Sequence, residues 1–133
     1  MSQDLITDAE LAAYGIAQAV LDRLTVAQKA AVISASSATV QGLLAARYPT
    51  PWGSWDGLVK HWTARLAVRA ILAIIGANPE DPANAELIRL AQEAHRDARL
   101  AGKGDLIVAI VAAASTGDTV APLEVLSDDA QGW

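Results

Sequence analysis

The side chains that could carry chemistry in this chain are few, and their spacing sets most of them aside. His61 and His95 are the only histidines. A metal site on a helix needs ligands on one face, three or four residues apart, and no carboxylate stands at that distance from His61; Glu93, His95 and Asp97 alternate, so a helix turns them to different sides. Half-buried or solvent-facing imidazoles are expected instead. Ser34, Ser36 and Ser37 sit within a helical pattern, without the strand–turn–helix elbow and flanking glycines that expose a serine nucleophile. Gly53 and Gly57 are isolated, and no Gly-Lys-Ser/Thr follows them, so there is no phosphate loop. The chain has no cysteine, which excludes zinc fingers, iron–sulfur clusters, thiol catalysis and disulfides. The expectation is a protein without enzymatic activity, metal or cofactor.

The aromatic residues carry more information. Trp52, Trp55, Trp62 and Trp133 are four tryptophans in a chain with two tyrosines and no phenylalanine. Trp62 shares helical spacing with Leu58 and Leu66 and belongs to a core. Trp52 and Trp55 lie on the segment Pro49-Thr50-Pro51-Trp52-Gly53-Ser54-Trp55, either as a lid over helix ends or as binding anchors, since Trp is enriched where partners meet. Trp133, on an acidic and apolar-flecked tail, reads as a docking residue on a partner or a neighbouring copy. With Arg47, Tyr48, Leu123, Val125 and Leu126, these three tryptophans make up the candidate partner-contact set.

Charge and hydropathy narrow the classes further. The 133 residues carry a formal charge of −5. Every acidic side chain of residues 1–22 and 105–133 stands without a basic neighbour in those segments, whereas residues 23–104 hold all ten Lys and Arg against six acids. Ten scattered basic residues do not make the dense stripe of a nucleic-acid module. The longest unbroken apolar stretch, Leu106 to Ala114, falls well short of the roughly 20 residues that a membrane span needs. The start, MSQDLITDAEL, lacks the basic flank and apolar run of a signal peptide, so a soluble protein that is not secreted by the usual route is expected.

The elements that hold these residues are helical. Thr7 and Glu10 form a capping box, opening a short helix that Gly15 ends, and Ile16–Leu24 forms a second short segment. Thr25 caps a long helix in which Ala30, Ile33, Ser37, Val40, Leu44 and Arg47 share a face; its small residues let a neighbouring backbone approach, and Pro49 and Pro51 stop it after Tyr48. Ser54 or Asp56 caps the next helix, with Leu58, Trp62, Leu66, Arg69, Leu72 and Ile75 on one side until Gly76. A last helix spans about Ala83–Ala101, with Leu87, Leu90, Ala91, Ala94 and Ala98 inward, closed by Gly102 and Gly104. Beyond Gly104 the β-branched run, the Thr-Gly-Asp turn signal and Pro122 predict an extended arm with a short hairpin or edge strand. The prediction is an all-α domain, a small bundle of four to five helices over residues 1–104, with an extended C-terminal arm over 105–133.

This arrangement resembles the head-to-tail connector proteins of tailed bacteriophages, in particular the Mu-type neck proteins and the related adaptors of gene transfer agents. The resemblance covers about Ile6 to Ala101. It rests on T-D-A-E-L near the start, on Ala35-Ser36 through Leu43, Leu44, Arg47, Tyr48, Pro49 and Pro51, and on Leu66, Ala67 and Arg69. It implies a homo-oligomeric ring, a dodecamer, in the virion neck, assembled in the bacterial host cytoplasm. The partners it implies are the portal protein and the next neck or tail-terminator component, with DNA passing through the channel without specific binding and no membrane involved. A carboxylate-lined channel would let DNA slide. Two other classes remain open: a small DNA-binding or regulatory module using Thr25–Tyr48 or Asp56–Ile75 as recognition helix, and an inhibitor whose acidic tail mimics nucleic acid.

Overall fold

The computed structural model describes residues 3–14 and 18–112, and five α-helices lie among them. Two are single turns, α1 (Asp8–Leu11) and α2 (Gln18–Leu21); three are long, α3 (Val26–Leu44), α4 (Gly57–Ile74) and α5 (Pro82–Lys103). A 3₁₀ turn, Ala12–Tyr14, continues α1. Two short strands, β1 (Trp52–Trp55) and β2 (Ile110–Ala112), pair antiparallel. The all-α class follows from the periodicity; the two-stranded ribbon on its side does not.

Local chemistry sets the helix ends. Thr25 Oγ1 accepts from Gln28 N–H (3.0 Å) while Gln28 Oε1 accepts from Thr25 N–H (2.9 Å), a reciprocal box that satisfies two otherwise free donors. Of the two candidates for capping α4, Asp56 does so, its Oδ1 accepting from Val59 N–H at 3.1 Å. Asp81 caps α5, with Pro82 in the first helical position where its missing N–H costs nothing. Gly104 ends α5 at φ +88°, a left-handed conformation that a side chain would strain. Helix α3 stops at Leu44, short of Tyr48: Arg47 and Tyr48 both bond back to the Leu44 carbonyl in turns, and Pro49 disfavours helical backbone in the residue before it.

The core has two adjoining parts. One joins Ile6, Leu11, Leu21 and Leu24 to Val32 and Ile33 of α3 and to Ala64, Ala67, Val68, Ile71 and Leu72 of α4. The other gathers Leu5, Val40, Leu44, Trp52, Val59, Trp62 and Val108 around Ala94, Ala98 and Ala101. The buried face of α5 is thus made of alanines, which lets its axis lie close to α3. At Gly102 the approach is closer still, the Leu43 carbonyl oxygen occupying the place of a side chain. Gly102 therefore belongs to the packing and not to the helix end. Several inward assignments shift: Ala30, Arg47 and Arg69 are exposed, Leu58 is 39% exposed, and Val59 takes its place in the core. Leu87 and Leu90 are half-buried beside the buried alanines.

Past Gly104 the backbone is extended and stays on the domain. Val108 is buried, and Leu106 and Ile110 pack beside it against the second part of the core. Residues 105–112 are thus part of the folded unit that the sequence bounds at residue 104. Leu123, Val125, Leu126 and Trp133 lie outside the described residues, as do Gly15 and Ile16.

Candidate interaction surfaces

The extended N-terminal segment and β1 form the most specific polar assembly in the molecule. Gln3 uses its side-chain amide as a strand would use its backbone: Nε2 donates to the Trp52 carbonyl and Oε1 accepts from Trp52 N–H, both at 2.7 Å. Gln41, buried on α3, holds Gln3 in place by accepting from its backbone N–H (3.1 Å) and donating to its Oε1 (3.2 Å). One turn earlier on α3, Ser37 Oγ accepts from Leu5 N–H at 2.9 Å. The small, polar face of α3 is therefore where another backbone docks, as its composition predicts. That backbone is the chain's own N-terminus. Neither Gln3 nor Gln41 is singled out by any motif; the available signal is a Ser and a Gln four residues apart on the inner face, where buried polar groups need partners.

This assembly decides the fate of the tryptophan pair. Trp52 is 1% exposed and its indole N–H donates to the Tyr48 carbonyl at 2.8 Å. Trp55 is half-buried and donates to the Leu5 carbonyl at 3.0 Å, its ring 6.3 Å from that of Trp52. Trp52 is a core residue in this fold and cannot serve as a surface anchor; Trp55 presents one edge only. Tyr48 is half-buried beside β2, and Arg47 is exposed, lying over the Tyr48 ring and against Gly104. Asp56 links the two strands' surroundings, its Oδ2 accepting from Ala109 N–H at 3.0 Å.

Beside the N-terminal segment a groove of about 460 Å³ runs between residues 4–8 and the first turns of α3. Leu5, Ile33 and Trp55 line it, with Val26 at 80% exposure on its rim. Glu10 reaches across to Lys60 (3.3 Å). The Glu10 carboxyl is held below the ordinary carboxylate range chiefly by the Thr7 N–H (2.9 Å), against a desolvation cost and with help from Lys60. Because the folded state binds this proton less tightly than the unfolded one, the contribution is present above the ordinary carboxylate range and lost as pH falls through the lowered value. Glu10→Gln is therefore expected to narrow its deficit against the parent as pH drops from 7 to about 3, read as urea midpoints at both pH values; a constant deficit would exclude this linkage.

The histidines are half-buried. His61 meets the Tyr14 ring edge-on at 5.5 Å, and burial, then Arg65, hold its imidazole below the usual range against the pull of Asp97. Among the described residues no three His, Asp or Glu side chains gather as a metal site would require. No described helix is long and apolar enough to cross a membrane. Fold and surface together define a small all-α bundle whose first strand is clasped by its own N-terminus and whose exposed chemistry is apolar patches bordered by charge. No family model, curated protein or solved structure matches this chain.

Proposed function

We propose that this chain is a structural virion protein, a head-to-tail connector that forms a ring between the portal and the next neck or tail component, with DNA passing through without specific binding. The observation that carries the reading is where the resemblance residues fall. Ala35, Ser36, Leu43, Leu44, Arg47, Tyr48, Pro49 and Pro51 are consecutive parts of one unit, the second half of α3 and the turn that delivers β1. Within that unit Leu44 is core and Tyr48 receives the Trp52 indole. Ser37 and Gln41, which lie between Ser36 and Leu43 in the same stretch of α3, seat the extended N-terminal segment. The basic side chains also favour this reading over the DNA-binding alternative. On α5 the Arg89 guanidinium is held between Glu86 and Glu93, and Arg96 lies beside Asp97, which leaves Arg99 and Lys103 as the helix's exposed cations outside an ion pair among the described residues, too few for a phosphate-binding stripe.

The test is the solution mass of the purified chain by light scattering, alone and with nonspecific duplex DNA at low and moderate salt. A monomer or ring whose mass ignores DNA is expected, followed by capture on purified portal. A DNA complex that weakens steeply with salt would overturn the reading in favour of the DNA-binding module.

A further inference from the structure

We propose that copies of this chain associate head to tail, the outer face of the β2 segment of one copy seating in the groove beside the N-terminal segment of the next. The inference rests on the ring reading and names the contact that would build it. Strand β1 separates the two surfaces. The backbone N–H and C=O of Trp52 face Gln3 on one edge, and β2 pairs along the other. The groove lies on the N-terminal side, and among the described residues no strand pairs with the other edge of β2.

One surface supplies protruding apolar groups. From Leu106 onward the extended chain alternates, turning Val108 inward and leaving Ile107 80% and Val111 62% exposed. Residues 106–112 contain no charge and no proline, so neither device screens these exposed apolar groups. The other surface supplies a recess of about 460 Å³ with apolar lining and Val26 exposed at its rim. An apolar projection and an apolar recess on one chain are complementary to each other.

The bordering charges agree in sign. Asp4 and Asp8 flank the groove, exposed and without an ion-pair partner among the described residues, while Lys60 there is engaged by Glu10 and Lys29 is the remaining cation. On the approach to β2, Lys103 precedes Gly104 and the Arg47 guanidinium lies against it, both exposed and likewise unpaired among the described residues, with Asp105 next in the chain. Acidic rim thus meets basic flank, the arrangement that steers association and fixes register. Because the two patches differ, the contact is heterologous and propagates into a closed ring or a filament; a contact of β2 with its own copy would stop at a dimer.

The absence of cysteine makes the test direct. A Val26→Cys/Ile107→Cys double variant, oxidised at high protein concentration, is expected to give a non-reducing ladder of dimers, trimers and larger species, while either single variant gives no species beyond a dimer. No ladder, or an intrachain disulfide only, overturns the contact. Both positions are exposed, so folding is not at issue. Val26→Asp and Ile107→Asp are each expected to abolish self-association alone, and their mixture to form a dimer that grows no further, since one intact recess and one intact projection remain. Rings formed by either Asp variant alone would sink this contact and leave the ring reading standing; salt-sensitive DNA binding by the parent chain would remove the ring reading itself.

Discussion

Trp52→Ala is expected to cost about 3–5 kcal/mol, the range for removing a large aromatic side chain from a packed interior. The indole is 1% exposed, lies in the same cluster as Leu44, Trp62 and Val108, and its N–H is satisfied by the Tyr48 carbonyl. Alanine would leave a cavity among these groups and strand that carbonyl. The damage would spread, because the Trp52 backbone is the point where Gln3 and β2 meet the strand from its two edges. Against a typical net stability of about 5–15 kcal/mol for a domain, such a loss would leave part of the population unfolded at ordinary temperature. Trp55→Ala should cost less, the ring being half-buried and bonded to one carbonyl. Urea titration followed by far-ultraviolet dichroism decides it. A Trp52→Ala midpoint equal to that of the parent would mean that the indole is not a core element, and would restore the anchor that the sequence suggests.

The tryptophan result shows where sequence stops being informative. Caps and apolar spacing are local, and Thr25, Asp56 and Gly104 stand at element ends as their chemistry predicts, with the long helices between them. Strand β1 is different. Trp-Gly-Ser-Trp after two prolines has turn composition, and it is extended because residues more than fifty positions away, Ile110 to Ala112, pair with it and because the amide of Gln3 completes its other edge. No period within the segment encodes those partners. The inner face of α3 was half legible: its small residues do admit a backbone, but nothing in the pattern says whose. The same holds for the surfaces. Exposure of Ile107 and Val111 depends on which side of the extended chain Val108 turns, and that is fixed by the cavity it fills, which three helices and β1 create together.

A pair of glycine substitutions tests the packing of α5 against α3 with opposite expected signs. Gly102 and Gly42 are both within helices, where glycine is about 0.5–1 kcal/mol worse than alanine through backbone entropy alone. At Gly42 an added Cβ meets nothing within 4 Å, so Gly42→Ala should stabilise by about that amount. At Gly102 the same atom would fall 1.9 Å from the Leu43 carbonyl oxygen and 3.0 Å from its carbon. Both are backbone atoms of a helix and cannot rotate away; α5 would have to move off α3 along a face where Ala94, Ala98 and Ala101 are in contact with the core. Overpacking of this kind costs typically about 1–3 kcal/mol and more where backbone must shift, so Gly102→Ala should destabilise by about 3 kcal/mol or more in spite of its better helix propensity. Thermal midpoints of the two variants measured side by side against the parent should move in opposite directions. If Gly102→Ala were stabilising as well, the close crossing of these two helices would be wrong, and with it the seating of the extended segment that Gly104 launches from the end of α5 toward β1.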